Sequence, residues 1–396
     1  MFNKKTIEDM NLKGKRVLVR VDYNVPLDEK MNVTDNTRIK LSLPTINYLI
    51  GQGAKVILMS HLGRPKDAAE EKYRLTPAAK ELEKLTGKKV IKFDETFSED
   101  IKSFIDNEMQ PGSIAMLENL RFNPGEKKND TAFAQKLASL ADVYVNDAFG
   151  SSHRAHASIS GIAQFLPALS GFLLKKEVEA LGSLLENPQR PFVAVLGGSK
   201  ISDKILVIKN LLDKVDSLIL GGGMTYTFLK AQGFEIGKSI CEDDQLQYAL
   251  DMIELAKTNN VKLMLPVDII AASEYAADAD YKNVDTGSIP AEWEGMGIGE
   301  KTAALYAQEI KKAKTVFWNG PMGVFEFDRF SFGTKEIGKA IAESGAVTVA
   351  GGGDTLAAIK KFSLSGKFSH ISSGGGASME FLEGKVLPGV AALLDK

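Results

Sequence analysis

Apolar residues are gathered along this chain in short blocks, and the blocks predict an α/β fold. The runs Val17–Val21, Lys55–Met59, Ser113–Leu117 and Asp142–Val145 are dominated by apolar side chains, without the every-second-residue alternation of a half-exposed strand. Such runs suit strands covered on both faces, as in a parallel sheet flanked by helices. Between them lie stretches of helical spacing, of which Arg38–Ile50 is one, so the first half reads as alternating β and α units. The second half repeats the plan with Phe192–Leu196, Ser217–Leu220, Val316–Trp318, Val347–Ala350 and His370–Ser373. At 396 residues the chain exceeds what one core usually holds, so two domains are expected.

The boundary is marked by Phe172–Glu186, where Leu173, Leu174, Val178, Leu181, Leu184 and Leu185 recur at helical spacing before Asn187 and Pro188 end the run. This predicts an interdomain helix over 172–187, a first domain over 1–171 and a second over 188–383. The apolar stretch Val386–Leu394 is expected to return to the first domain, so that 384–396 complete it. Two chain crossings predict a hinge.

What decorates the strand ends differs between the halves. In the second half they run into glycines: Gly197-Gly198-Ser199-Lys200, Gly221-Gly222-Gly223, Asn319-Gly320-Pro321, Gly351-Gly352-Gly353-Asp354-Thr355 and Gly374-Gly375-Gly376. One such turn is an ordinary tight connection. Five on the same edge of a parallel sheet point to an anion approached by backbone N–H groups and helix starts. Asp354 does not suit a bare phosphate, but it suits a hydrated Mg²⁺ that itself carries phosphates, with the Thr355 hydroxyl as a further donor. In the first half the decoration is arginine: of nine in the chain, Arg16, Arg20, Arg38, Arg64, Arg74, Arg121 and Arg154 all precede residue 155. The planar guanidinium fork matches carboxylate and phosphate, so Arg38, Arg64, Arg121 and Arg154, near Asp22, Asn24 and His61, read as a pocket for a small polyanion. Arg16 and Arg74 read as ion pairs at the edge of the core.

A net charge of −2 argues against nucleic acid or an anionic membrane as the main partner, so anion binding is expected to be local. The single cysteine, Cys241, excludes an intrachain disulfide or a cysteine-based metal cluster and suits a reducing, cytoplasmic setting. The N-terminus has no apolar core of a secretory signal, and the uncharged stretch Ala157–Leu174 carries Pro167, Gly161, Gly171 and three serines, which suits a buried irregular segment better than a membrane span. Gly233–Ser239 looks like a Walker loop but is one residue short and follows no strand; neither glycine triplet completes the dinucleotide fingerprint. His153 and His156 are spaced like zinc ligands without an acidic partner, and suit substrate contact or polar surface.

Several long segments resemble the phosphoglycerate kinases: Arg20–Pro26, Ser60–Pro65, Gly197–Lys204, Gly221–Met224, Trp318–Glu326 and Gly351–Thr355, in order and across essentially the whole chain. The resemblance implies two Rossmann-like three-layer αβα domains with parallel sheets, and reversible phosphoryl transfer between 1,3-bisphosphoglycerate with ADP and 3-phosphoglycerate with ATP, using Mg²⁺. It implies substrate contacts at Asp22, Tyr23, Asn24, Arg38, His61, Leu62, Gly63, Arg64, Arg121 and Arg154. Nucleotide contacts are implied at Lys200, Lys204, Gly222, Gly297, Asn319, Pro321, Glu326, Gly352, Gly353, Asp354 and Thr355, with Asp354 on the metal. Arg38, Lys200 and Lys204 would stabilise the transferring group, in a monomeric cytoplasmic enzyme. A two-domain solute-binding protein would need an export signal and would lack the Lys200 and Asp354 constellation. A nucleotide-dependent ligase would share the acyl-phosphate chemistry, and ADP release from ATP with 3-phosphoglycerate discriminates all three.

Overall fold

The computed structural model describes residues 2–66 and 69–396. The chain divides into two compact units, Met1–Glu179 with Val386–Lys396, and Ala180–Lys385. The chain passes from the first to the second within the helix Phe172–Glu186.

The first unit is built on β1 (Arg16–Arg20), β2 (Lys55–Met59), β3 (Val90–Lys92), β4 (Ile114–Met116), β5 (Val143–Asn146) and β6 (Ala168–Ser170), all parallel, in the spatial order β3-β4-β2-β1-β5-β6. The central strands are buried almost throughout, which is why they read as unbroken apolar runs. Two of the helices between them start where a side chain takes an orphan N–H group: Ser98 accepts from Ile101 before Glu99–Asn107, and Asp130 from Phe133 before Thr131–Ala138. The tail closes the unit: Lys5 N–H donates to Leu394, Leu394 N–H to Ala168, and Gly389 lies against Ser152 and Asn146.

The second unit carries β7 (Phe192–Leu196), β8 (Ser217–Leu220), β9 (Lys262–Met264), β13 (Thr315–Asn319), β14 (Val347–Gly351) and β15 (His370–Ile371), again all parallel, in the order β15-β14-β13-β7-β8-β9. Its core centres on Val195, Ile219, Val316, Trp318 and Ala350. Between β9 and β13 the chain makes a feature that the apolar pattern does not announce, an antiparallel sheet of β10 (Asp268–Ala272), β11 (Tyr281–Asp285) and β12 (Glu294–Ile298). β11 is mostly exposed and β12 contains two glycines, so neither gives an apolar run.

The start of the Phe172–Glu186 helix is held by a buried carboxylate. Asp147 Oδ1 accepts from the N–H of Leu173 at 2.9 Å and of Leu174 at 3.3 Å, while Oδ2 has no partner among the described residues. Burial pushes this carboxyl up to about 7, against the opposing hydrogen bonds from Thr45 and the two amides. The folded protein therefore binds a proton here that an unfolded carboxyl, titrating near ~4, has already lost. The contribution to stability is full below that value and drains away as the pH rises through about 7. Asp147→Asn keeps the acceptor and removes the titration, so its Tm is expected to exceed the parent's at pH 8, with the gap closing by pH 5. An equal gap at both pH values in differential scanning calorimetry would contradict the raised carboxyl.

Candidate functional site

In a parallel sheet, polar residues emerge where the strands leave the cover of the helices, and in the first unit four strand ends deliver them to one edge. β1 leads to Asp22 and Asn24, β2 to His61, Gly63 and Arg64, β4 to Arg121, and β5 to the segment bearing His153, Arg154 and His156. Asp22 is paired with the Arg38 guanidinium, which is half-exposed at the start of the Thr37–Gly51 helix. Burial raises the Asp22 carboxyl, but the Arg38 and Arg20 charges and the Asn24 N–H outweigh it and hold it below its ordinary range. His61 is buried, and desolvation together with Arg20, Arg121 and Arg38 keeps its imidazole well below the usual histidine range, against the pull of Asp22. Burial and the surrounding Arg20, Arg121 and Arg154 charges likewise lower His156 to about 4. Asn24 Oδ1 accepts from Gly63 N–H at 2.8 Å, and Arg121 Nη1 donates to the Gly63 carbonyl at 2.6 Å. Arg64 and Arg154 are exposed and, among the described residues, make no ion pair. The result is a dense cationic cluster with neutral imidazoles. Arg16 and Arg74 lie in ion pairs, with Asp106 and Asp142 and with Glu71 and Glu118.

Two residues of the expected set face inward. Tyr23 is fully buried, with its hydroxyl on Ser42 and its N–H on Ser60 Oγ; Leu62 is buried with both backbone polar groups on Asn119. Both serve the loop's shape. Gly63 has φ +63, and a Cβ there would lie 2.2 Å from the Tyr73 ring.

In the second unit the glycine turns form two adjoining cavities that share Gly198, Ser199 and Asp354. One, about 360 Å³, is walled by Ile240, Tyr275, Met296 and Val324, with Glu326 and Glu294 at its polar side. The other, about 290 Å³, is polar: Lys200, Lys204, Gly320, Gly352, Gly353 and Thr355 line it. A slot with one apolar side-chain wall, joined to a cationic, glycine-walled chamber, has the shape and polarity of a base joined to phosphates. Lys204 is bonded to Asn319 Oδ1, and burial lowers its ammonium to about 8, with Asp203, Asp354 and Glu383 pulling the other way. Asn319 itself is buried, its Nδ2 on the Gly351 carbonyl at 2.7 Å, so it fixes Lys204 and the turn. Thr355 is buried too, and its Oγ1 accepts from Gly320 N–H at 2.7 Å, which ties two glycine turns together. Gly297 packs on Gly323 rather than facing the cavity, and the lining glycine of that strand is Gly295.

Asp354 is exposed in the first turn of the Gly353–Lys361 helix and lines both cavities. No group of three or more His, Cys, Asp or Glu side chains that could hold a metal occurs among the described residues. A single carboxylate beside a phosphate-sized chamber fits Mg²⁺, which keeps waters and takes further oxygens from its ligand.

The sequence profile of the family described as Phosphoglycerate kinase matches residues 7–385. The chain belongs to the phosphoglycerate kinase family. It is 55% identical over 393 residues to the phosphoglycerate kinases of Moorella thermoacetica and of Pelotomaculum thermopropionicum, covering 99% of this chain and 100% of each relative. Its fold is similar to the solved phosphoglycerate kinases of Coxiella burnetii (TM-score 0.90, 44% identity) and Pyrococcus horikoshii (TM-score 0.83, 34% identity), with 98% of both chains covered in each case. The chain is accordingly a kinase, a transferase of phosphoryl groups.

Ile240, Tyr275 and Met296 lie outside every motif segment, and Val324, inside one, carries no polar group that marks it as lining. Only the exposure of large apolar side chains, 60% for Tyr275 and 43% for Ile240, singles out two of them, and exposure is a property of the fold. The glycines divide by cause. At Gly320, φ is +95 and a Cβ would lie 2.2 Å from the Gly197 carbonyl oxygen, whereas at Gly353 it would meet nothing within 4 Å. Gly320→Ala is expected to cost about 3 kcal/mol or more in urea unfolding, and Gly353→Ala less than about 1 kcal/mol. Equal losses would contradict the assignment of Gly320 to the fold and of Gly353 to open space kept for a ligand.

Proposed function

We propose that the chain catalyses reversible, Mg²⁺-dependent phosphoryl transfer between 1,3-bisphosphoglycerate with ADP and 3-phosphoglycerate with ATP, as a monomeric cytoplasmic enzyme of glycolysis. The observation that carries this reading is the separation of chemistry: guanidinium groups and neutral imidazoles gather on the first unit, and the glycine-walled double cavity lies on the second. The first unit is then the 3-phosphoglycerate domain, with Asp22, Asn24, Arg38, His61, Arg64, Arg121 and Arg154 around the substrate, and the second is the nucleotide domain.

The acceptor in the ATP-consuming direction is a carboxylate, ionised at neutral pH, so no general base is required. His61, held neutral, suits a hydrogen-bond donor rather than a proton carrier. Lys200 and Lys204 supply positive charge to the phosphate chamber, and an incoming polyphosphate would keep Lys204 protonated against its desolvation. Arg38, oriented by Asp22, is placed to meet charge that develops on the transferring group. Mg²⁺ on Asp354 would neutralise phosphate charge when bound. In-line transfer needs near contact of acceptor and phosphorus, so the reading includes hinge motion about the two chain crossings.

The direct test is a coupled assay for ADP release with 3-phosphoglycerate and ATP, and no release would overturn the reading. Arg38→Ala is expected to lower kcat by about 10² or more while leaving nucleotide affinity near the parent's. A parental kcat with only KM for 3-phosphoglycerate raised would demote Arg38 to uniform binding. Asp354→Ala is expected to weaken Mg·ADP in calorimetry and leave 3-phosphoglycerate binding unchanged; equal losses for both ligands would show that the two sites are not separate.

A further inference from the structure

Arg20, at the end of β1 and beside the first unit's cluster, is a buried cation, 1% exposed. A guanidinium taken from water needs its N–H groups satisfied, and three bonds are visible: Nη1 to the Val21 carbonyl, Nε to Ser158 Oγ at 2.9 Å, and Nη2 to His61 Nδ1 at 3.1 Å. The serine is a relay. Its hydroxyl donates to Glu126 Oε1 at 2.6 Å while its N–H donates to Oε2 at 3.0 Å, so the buried Glu126 stands behind Arg20 as its counter-charge. Ser158 lies in the π-helical turn Ala157–Gly161, an irregularity that aims its hydroxyl and its N–H at one carboxylate.

The direction of these bonds has a chemical consequence. Arginine has donors only, so His61 Nδ1 must be the acceptor of the 3.1 Å bond. The imidazole then carries its single proton on Nε2, which has no acceptor among the described residues. We propose that Glu126, acting through Ser158, is a positioning residue that clamps Arg20 and thereby sets His61 as the Nε2–H tautomer, a neutral donor directed to an acidic group of the substrate. The same clamp explains why a histidine flanked by Asp22 stays uncharged: Arg20 faces it from β1, Arg38 from the Thr37–Gly51 helix and Arg121 from the turn after β4, and a second proton would sit among three cations. On the other side, Glu126 faces Arg20, Arg121 and His156 Nδ1, the last at 3.7 Å. The Nε2–H donor's use on substrate rests on the 3-phosphoglycerate assignment above, whereas the tautomer does not, so the two fail separately.

The test is ¹⁵N-edited imidazole NMR of the full chain, feasible with four histidines. In the ligand-free parent, His61 is expected as one Nε2–H tautomer that resists protonation. In Ser158→Ala, Arg20 loses its Nε acceptor, so His61 should become a mixture of tautomers with a raised titration midpoint, and KM for 3-phosphoglycerate should rise about tenfold with kcat changed less. Glu126→Gln, of the same shape, should shift His61 in the same direction by a smaller amount, and it decides the matter where Ser158→Ala fails to fold. A folded variant whose His61 keeps the parent's tautomer and midpoint overturns the clamp. A shifted His61 with an unchanged KM keeps the clamp and overturns the donor role.

Discussion

A parallel strand covered on both faces can place polar chemistry only where its cover stops, and both units obey that constraint at the carboxyl ends of their central strands. In the first unit β1, β2, β4 and β5 supply Asp22, His61, Arg121 and the 153–156 segment to one edge. In the second, β7, β8, β13 and β14 deliver four glycine turns to the corresponding edge. The same topology carries two different chemistries, set by the loop residues that come after the last buried position of each strand.

The two edges are made rigid by different means. On the second unit the turns touch each other directly, Gly197 against Gly320 and Pro321, and Gly222 against Gly198, so the cavity wall is backbone that no side chain could replace. On the first unit the work falls to buried ions. Glu118 takes Arg74 and Lys92, and Glu126 holds Arg20 through a serine; removing one member of such a set leaves a desolvated charge, which typically costs about 3–5 kcal/mol. A cationic cluster held by internal carboxylates keeps its outward groups, Arg64, Arg154 and the open side of Arg38, available.

The sequence carried the plan of strands and turns because each central strand is a short apolar run and each turn a short polar or glycine signature. β3 and β9 are short and only partly buried, β6 falls in the uncharged stretch read as irregular, and the antiparallel sheet is hidden by exposed β11 and glycine-bearing β12. The apolar wall of Ile240, Tyr275, Met296 and Val324 is drawn partly from that sheet's neighbourhood, so missing the sheet meant missing the slot. Not every motif residue turns its side chain outward: Tyr23, Leu62 and Asn319 sit inside motifs and are bonded within the protein, and Asn319 also lines the polar chamber. Motif membership marks a shaped loop, and only the fold separates the residues that shape it from those it presents.

The central claim is that each unit alone gathers one ligand's chemistry. Hydrogen exchange of the full chain with single ligands tests it most directly. With Mg·ADP alone, protection is expected at residues 197–200, 221–223, 319–321 and 352–355; with 3-phosphoglycerate alone, at 22–24, 60–64, 119–121 and 153–158. Protection of the glycine turns by 3-phosphoglycerate alone, with residues 60–64 and 153–158 unchanged, would contradict the account.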